Sequence, residues 1–125
     1  MNQGIILFAH GSRIESANQG VRAAAAELAQ LGSFPYVQPA FLELGAPDLA
    51  GAVAHLVQLG VNRILVIPYF LTLGIHLERD LPRIIGELGA AHPNVQIQAT
   101  PPLDGHPALL QVLLDRVNEY LTKRD

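Results

Sequence analysis

The sequence predicts an α/β protein with an open, doubly wound, four-stranded parallel sheet of flavodoxin type, in the strand order 2-1-3-4. Short apolar runs alternate along the chain with segments whose apolar residues recur at helical spacing. The first and third runs are apolar throughout, as expected for central strands buried on both faces. The second contains a proline and the fourth alternates with polar residues, as edge strands do. Because a helix separates each strand from the next, the strands are expected to be parallel with right-handed crossovers.

The first strand is predicted over residues 4–9, an unbroken apolar run. Gly32 stands where the C′ residue of the helix after this strand belongs. Residues 36–42 predict the second strand. Since Pro39 cannot donate to a ladder, this strand should lie at an edge of the sheet. The apolar stripe of the first helix consists of Val21, Ala24, Ala25, Leu28 and Leu31.

The second helix is expected to begin after Asp48, a good N-cap residue, and to end at Gly60. Residues 64–67 predict the third strand. In the helix that follows, Pro82 is expected near the first turn, where proline is tolerated. The apolar stripes of these two helices are Leu49, Val53, Leu56 and Val57, and then Leu77, Leu81, Ile84, Ile85 and Leu88.

The last two elements complete a single domain of residues 1–125. Residues 95–99 alternate between apolar and polar side chains, which predicts an edge strand with one face in water. The fourth helix is expected to begin near Pro107, which fits the N1 position, and to run to about Tyr120.

Composition excludes several classes of protein. Half of the 125 residues are hydrophobic and 15% are charged, which excludes disorder. A net charge of −3 without a basic stripe argues against nucleic acid as a partner. The absence of cysteine excludes disulfides, thiolate metal sites and a cysteine nucleophile. No apolar run reaches the roughly 18 residues of a membrane span, and the start of the chain lacks a cationic region. A cytoplasmic protein is expected, in which chemistry depends on His, Asp and Glu.

Three of the five histidines follow strands. In open α/β sheets, ligands bind outside the carboxyl ends of the strands, so these residues should share one edge. The residues that follow the four strands are, in order, His10, Glu43, His76 and His106, whereas His55 and His92 fall in or just after helices and are expected on the surface.

Each of these side chains has a metal-site interpretation and a structural one. His10 either binds a ligand or caps a helix or loop carbonyl. His76 lies near a helix N-terminus, where the helix dipole disfavours a cation and so favours the neutral imidazole that binds metals. Glu43 is either a site carboxylate or a loop residue facing water. His106, just before Pro107, is expected to start a helix rather than to bind a ligand.

The loop after the third strand is unusually apolar. Its exposed segment would suit the face of a flat organic ligand that receives a metal, although burial within the strand or helix is the alternative. Arginines around the same mouth would pair with carboxylates on the ligand rim. Arg79 and Arg83 share a helix face at i, i+4 and are otherwise a solvated face. The apolar residues are Tyr69, Phe70, Leu71, Leu73 and Ile75, and the arginines are Arg13, Arg79 and Arg83.

Common nucleotide and hydrolase motifs are missing. Gly11-Ser12-Arg13 is compatible with an anion-binding turn. A Walker A lysine, a Gly-x-Gly-x-x-Gly pattern and a Gly-x-Ser-x-Gly elbow are all absent.

Two motifs resemble those of the small sirohydrochlorin chelatases of the CbiX/SirB type. Ala9-His10-Gly11-Ser12-Arg13 resembles their opening motif. The segment from Pro68 to His76, followed by Asp80-Leu81-Pro82, resembles the second, and Phe41-Leu42-Glu43 also fits. The resemblance covers nearly the whole chain.

The resemblance implies a class II chelatase fold, related to ferrochelatase, and insertion of Co²⁺, Fe²⁺ or Ni²⁺ into a sirohydrochlorin-type tetrapyrrole. It implies that His10 and His76 are the metal-binding and catalytic imidazoles and that Glu43 is a nearby catalytic acid. The metal is then a substrate, and no permanently bound cofactor is expected. Larger members fuse two such domains around one cleft, so a homodimer is expected here. The residues predicted to contact the tetrapyrrole are Ser12, Arg13, Tyr69, Phe70, Leu71, Thr72, Leu73 and Gly74.

The chemistry leaves open which group removes the two pyrrole protons. Glu43 or a histidine not occupied by metal can act as the general base. Asp80, one turn from His76, is predicted either to orient that imidazole or to favour the helix N-terminus. A non-enzymatic carrier of metal or tetrapyrrole is the second hypothesis. A histidine phosphatase is the third and weakest, because its chemistry expects arginine where Ala9 stands.

Overall fold

A computed structural model of the chain describes residues 2–123, within which four strands alternate with four helices. The strands are β1 (Gln3–Ala9), β2 (Val37–Phe41), β3 (Arg63–Pro68) and β4 (Gln96–Ala99), and the helices are α1 (Glu15–Gly32), α2 (Leu49–Gln58), α3 (Gly74–Ala91) and α4 (Pro107–Lys123).

The strands form one parallel sheet in the predicted order β2-β1-β3-β4. Pro39 stands opposite Leu7 in β2, an edge strand that can tolerate its missing N–H. The expectation of an edge position for β4 and central positions for β1 and β3 is confirmed. Ile5 aligns with Val37 on one side and Leu65 on the other, which places the carboxyl ends of these three strands together.

The two faces of the sheet are buried by different helices. On one face, Ile6, Phe8 and Val66 pack with buried residues of α2 and α3, and Leu56 is a member of that cluster. On the other, Leu7, Ala9 and Phe41 pack with α1. Full burial of one large apolar side chain contributes about 1.5–3 kcal/mol. The doubly wound arrangement is therefore confirmed for the first three helices.

Helix α4 differs from the other helices because most of its large apolar residues are exposed to water. Seven of them are between 49% and 71% exposed: Leu110, Val112, Leu113, Leu114, Val117, Tyr120 and Leu121. The sheet face beside α1 is correspondingly open over β3, where Leu65 and Ile67 are only half-buried. A cavity of about 460 Å³ lies there, lined by Ile67 and residues 100–107. Across residues 2–123, the structure contains no helix that combines the length and the hydropathy needed to cross a membrane.

Two sequence predictions about α1 were wrong. Gly32 is the last residue of the helix, and Ser33 takes the left-handed C′ position with φ 54°. Ser33 and Phe34 donate to the carbonyls of Gln30 and Ala29, the bonding pattern of a Schellman motif. Leu31, predicted on the apolar stripe, is 86% exposed. Each three-residue step falls about 60° short of a full turn, so the stripe has rotated away from the sheet by that point.

Pro82 lies deeper in α3 than expected. The helix begins at Gly74, three residues before the first apolar stripe residue, so Pro82 falls in its interior rather than near its first turn. Proline there leaves the Glu78 carbonyl without its helical donor. Pro82 and Glu78 both line a cavity of about 450 Å³ between α3 and the end of β4.

The predicted N-cap Asp48 of α2 is confirmed, since its side chain accepts from the Gly51 N–H at 2.8 Å.

Candidate active site

The loops after β1 and β2 run side by side, which brings His10 next to Glu43. Leu42 N–H donates to the Ala9 carbonyl at 2.9 Å, and Glu43 N–H donates to the His10 carbonyl at 3.0 Å. The parallel pairing of the strands thus continues for two residues beyond the sheet. On the other side of β1, Tyr69 N–H donates to the Phe8 carbonyl at 2.7 Å.

Gly11 permits this close approach. Its φ is +92°, a conformation that L side chains rarely adopt. A Cβ atom at this position would overlap the carbonyl oxygen of Glu43. The glycine of the His10-Gly11 pair therefore has a steric role in placing the two functional side chains.

Gly11→Ala is expected to lower the free energy of unfolding by about 1–3 kcal/mol, because the methyl group meets backbone and not a movable side chain. A thermal melt followed by circular dichroism measures the change. Gly20→Ala is the matched control, since a Cβ there meets nothing within 4 Å and it lies inside a helix. An unchanged melting temperature for Gly11→Ala would contradict the steric role.

The contacts of His10 define its neutral tautomer. Its Nδ1 lies 3.2 Å from the Gly11 carbonyl oxygen. A carbonyl can only accept, so Nδ1 carries the proton and Nε2 of the neutral ring keeps its lone pair. Nε2 lies 3.7 Å from Oε1 of Glu43, too far for a hydrogen bond, and both side chains are 58% exposed. A basic nitrogen and a carboxylate oxygen thus face the same solvent-accessible space.

His10 and His76 border one cavity of about 330 Å³. The ring centroids of His10 and Phe70 are 6.4 Å apart in an edge-to-face arrangement, and those of Phe70 and the buried Phe8 are 6.1 Å apart. The His10 ring is thereby packed against the core on one side. The cavity is lined by His10, Leu42, Phe70, Leu73, Gly74, Ile75, His76, Leu77, Asp80 and Ile84.

Asp80 is paired with arginines. Its Oδ1 lies 3.5 Å from Arg79 Nε and 4.0 Å from Arg83 Nη2. His76 Nδ1 lies instead 3.5 Å from Arg79 Nη2, and an arginine can only donate. Arg79, and not Asp80 as predicted, is therefore the residue that contacts the His76 ring. Arg83 is also bound to Glu87 at 2.9 Å.

The structure groups the predicted metal and catalytic residues only in pairs. His10 is beside Glu43, and His10 shares a cavity with His76. Within residues 2–123, no three His, Asp or Glu side chains are close enough together to hold a metal ion. A metal bound here would complete its coordination with ligands from outside this set.

Three of the residues predicted to contact the tetrapyrrole line the cavity, namely Phe70, Leu73 and Gly74. Five others lie outside its lining: Ser12, Arg13, Tyr69, Leu71 and Thr72. Ser12 Oγ accepts from the Ile14 N–H at 3.0 Å and so shapes the start of α1. The Leu71 carbonyl accepts from Asp104 N–H at 2.9 Å, which ties this loop to the one after β4.

The remaining histidines have structural or surface positions. His106 Nδ1 accepts from the Ala108 N–H at 3.1 Å, which confirms its role at the start of α4. His55 is exposed on α2, as expected. His92 is half-buried at the C-cap of α3, so its predicted surface position was wrong in part.

Asn18 is the residue that sequence reasoning missed. It is a buried polar side chain, 2% exposed, and its amide bonds to backbone groups of both site loops. Its spacing could have revealed it. Asn18 lies three residues before Val21 and seven before Ala25, so it shares the buried face of α1 with them. A polar residue on the apolar stripe of a helix requires buried partners.

Next to Asn18, Arg22 fixes the first turns of α1 against β2. Its guanidinium bonds Glu15 at 2.6 Å and lies 5.3 Å from the centre of the Phe41 ring. This hydrogen bond holds the pKa of Glu15 below its ordinary value of 4.5. The stabilisation is present above that pH and is lost as the carboxylate is protonated on acidification.

The family model of CbiX matches residues 4–120 of this chain. The chain belongs to the CbiX family. It is 28% identical to the sirohydrochlorin cobaltochelatase of Methanopyrus kandleri, over 94% of this chain and 96% of the relative. It is 32% identical to the chloroplastic sirohydrochlorin ferrochelatase of Arabidopsis thaliana, over 95% of this chain but 53% of the relative.

Solved structures have the same fold. A CbiX protein from Marinobacter aquaeolei VT8 matches with a TM-score of 0.85 and 32% identity, over 97% of this chain and 98% of that one. SirB from Bacillus subtilis with Fe³⁺ matches with a TM-score of 0.82 and 28% identity, over 96% of this chain. The present chain spans about half of the Arabidopsis and SirB chains, at 53% and 48%.

Proposed function

We propose that this CbiX protein inserts a divalent metal, Co²⁺ or Fe²⁺ and also Ni²⁺, into sirohydrochlorin. One observation carries the proposal: the free Nε2 of His10 faces Glu43 beside a cavity that also contains His76. The names and titles of the relatives supply the substrate class and two of the metals, cobalt and iron.

In this proposal His10 binds the substrate metal through Nε2, and His76 binds it through Nδ1 when the metal replaces the 3.5 Å contact from Arg79. Neutral imidazoles suit Fe, Co and Ni, and two of them leave the other coordination positions exchangeable. A complete protein ligand set would instead retain the ion. Glu43 accepts protons from the pyrrole N–H groups, and its position 3.7 Å from His10 Nε2 keeps the base beside the metal.

The apolar residues of the cavity and its lip would hold the face of the macrocycle. Phe70 and Leu73 line the cavity. Leu71 directly follows Phe70 in the chain and is 61% exposed. Arg79 and Arg83 lie on the same helix as His76 and carry positive charge toward carboxylates of the macrocycle rim. A macrocycle that extends beyond the cavity would also contact the predicted residues outside its lining, namely Ser12, Arg13, Tyr69 and Thr72.

A homodimer explains the exposed face of α4. A 17-residue helix that exposes seven large apolar side chains is typical of a surface that binds a partner. The open sheet face over β3 offers an apolar surface for it, and Ile67 lines the cavity there. We therefore propose that α4 of each copy packs on this face of the other copy. The twofold length of SirB fits two such domains acting together, and we propose that the dimer of this protein acts in the cytoplasm.

Anaerobic mixing of the protein with sirohydrochlorin and Co²⁺ or Fe²⁺ tests the proposal. The absorbance change of metallation is expected to be at least about 100-fold faster than without protein, since a positioned base alone contributes about 10²–10⁴-fold. A rate equal to the protein-free rate with Co²⁺, Fe²⁺ and Ni²⁺ alike would refute it.

A non-enzymatic carrier of metal or tetrapyrrole is the second candidate, because His10 and His76 border the same cavity and can bind a metal without Glu43 acting as a base. Glu43→Gln separates the two functions. A chelatase loses about 10²-fold in turnover while Co²⁺ binding, followed by visible absorption, persists. A carrier shows no catalysed rate to lose. Glu27→Gln, on an exposed position of α1, is the control for removing one carboxylate.

A further inference from the structure

We propose that Asn18 is a positioning residue that fixes Glu43 beside His10 by joining the two loops that carry them. The inference rests on the proposed function, in which Glu43 acts next to His10. Asn18 itself lies on α1, under both loops, and is 2% exposed. A buried side chain of this kind cannot touch the macrocycle, so any effect on the reaction must pass through the residues it holds.

The amide of Asn18 uses both of its donor protons and one acceptor site on these loops. Its Oδ1 accepts from Ser12 N–H at 2.9 Å, and its Nδ2 donates to the Ser12 carbonyl at 2.9 Å. The second Nδ2 proton goes to the Leu44 carbonyl at 2.9 Å, and Glu15 Oε2 is a longer contact at 3.5 Å. Ser12 is two residues after His10, and Leu44 is one residue after Glu43. A single planar group therefore sets the spacing of the two loops.

Leu44 shows why that bond is needed. Its φ of 57° is in the left-handed region, which a leucine adopts only when its surroundings hold it there. Backbone bonds hold the loop before this point, through Leu42 and Glu43. Beyond Glu43, the Leu44 carbonyl is held by Asn18. The next backbone bond along the loop is at Pro47, whose carbonyl accepts from Phe41 N–H at 2.9 Å. Without Asn18 the segment between Glu43 and Pro47 loses its hydrogen bond to α1, and the carboxylate moves relative to the imidazole.

A purely structural role for Asn18 makes a different prediction, and a double-mutant cycle separates the two. Asn18→Ser and Asn18→Asp are each made alone and together with Glu43→Gln. Aspartate keeps the acceptor for Ser12 N–H and loses both donors, and serine avoids a buried charge. If either variant does not fold, the other completes the cycle. Gln19→Ala, exposed and adjacent on α1, is the control.

Asn18→Ser is expected to lower kcat for metallation about tenfold, with KM within twofold, because the base is displaced while the substrate cavity stays intact. In the Glu43→Gln background the same change is expected to alter kcat by less than twofold. Equal losses in both backgrounds would overturn the positioning role. Gln19→Ala should leave kcat unchanged.

A readout without activity keeps this inference separate from the chelatase proposal. The His10 ring resonances in a ¹H–¹³C NMR spectrum at fixed pH report on the nearby carboxylate. Asn18→Ser should shift them in the native background and much less in the Glu43→Gln background. This result would support the positioning role even for a protein that metallates nothing. Equal shifts in the two backgrounds would overturn it.

Discussion

His10→Ala is expected to lower kcat/KM for metallation by more than about 10³-fold. The change removes a metal-binding nitrogen and the partner of Glu43 in one step, so it should exceed the roughly 10²-fold lost with the base alone. Because the His10 side chain is 58% exposed, the fold should survive, with a stability change within about 1 kcal/mol. Stopped-flow absorbance with sirohydrochlorin and Co²⁺ measures the rate.

Two further histidine variants sharpen this test. His76→Ala should also weaken Co²⁺ binding, since His76 borders the same cavity. His55→Ala, on the exposed side of α2, is the control and should change neither the rate nor metal binding. A His10→Ala protein that retains a tenth or more of the native rate would show that His10 is not a ligand of the reacting metal.

The sheet could be predicted because each strand carries a local signal of its position. Pro39 marks an edge, and the unbroken apolar runs in β1 and β3 mark the centre. Periodicity is weakest at helix ends, and two predictions failed there, whereas those for Asp48 and Pro107 were confirmed. The left-handed C′ position falls on Ser33, because a Schellman turn can be closed by a residue other than glycine. Pro82 was misplaced because Gly74 starts its helix before any apolar repeat is visible.

The sequence indicates at which edge of the sheet the site residues lie, but not which of their side chains contact one another. That His10, Glu43 and His76 follow strands is a matter of topology, and parallel strands place such residues together. Which groups touch depends on rotamers and on contacts between loops far apart in sequence. Asp80 could orient His76 by spacing alone, yet two arginines are closer to it. The bond from Asn18 to Leu44 joins residues 26 apart and has no local pattern.

The exposed apolar residues of α4 are expected to hold the proposed homodimer together. Leu113→Glu combined with Val117→Glu is expected to convert a homodimer into monomers. The two residues are one turn apart, 57% and 52% exposed, and belong to the apolar set that the proposed partner covers. A carboxylate buried in an apolar contact costs at least about 2 kcal/mol, so two of them weaken association by roughly 10³-fold. Sedimentation velocity at micromolar concentration should give twice the monomer mass for the native chain and the monomer mass for the variant.

The matched control places the same two charges elsewhere on α4. Asn118→Glu with Thr122→Glu adds carboxylates one turn apart on the side that carries Asp115 and Glu119. This variant should remain dimeric, which separates loss of the apolar contact from the effect of added charge.

If the second copy completes the cleft, the rate of metallation should fall in parallel with the dimer fraction. Because none of the described side chains of α4 belongs to either core cluster of its own chain, the monomeric variant should still melt cooperatively. A native chain that is monomeric and fully active would contradict both the α4 interface and the shared cleft.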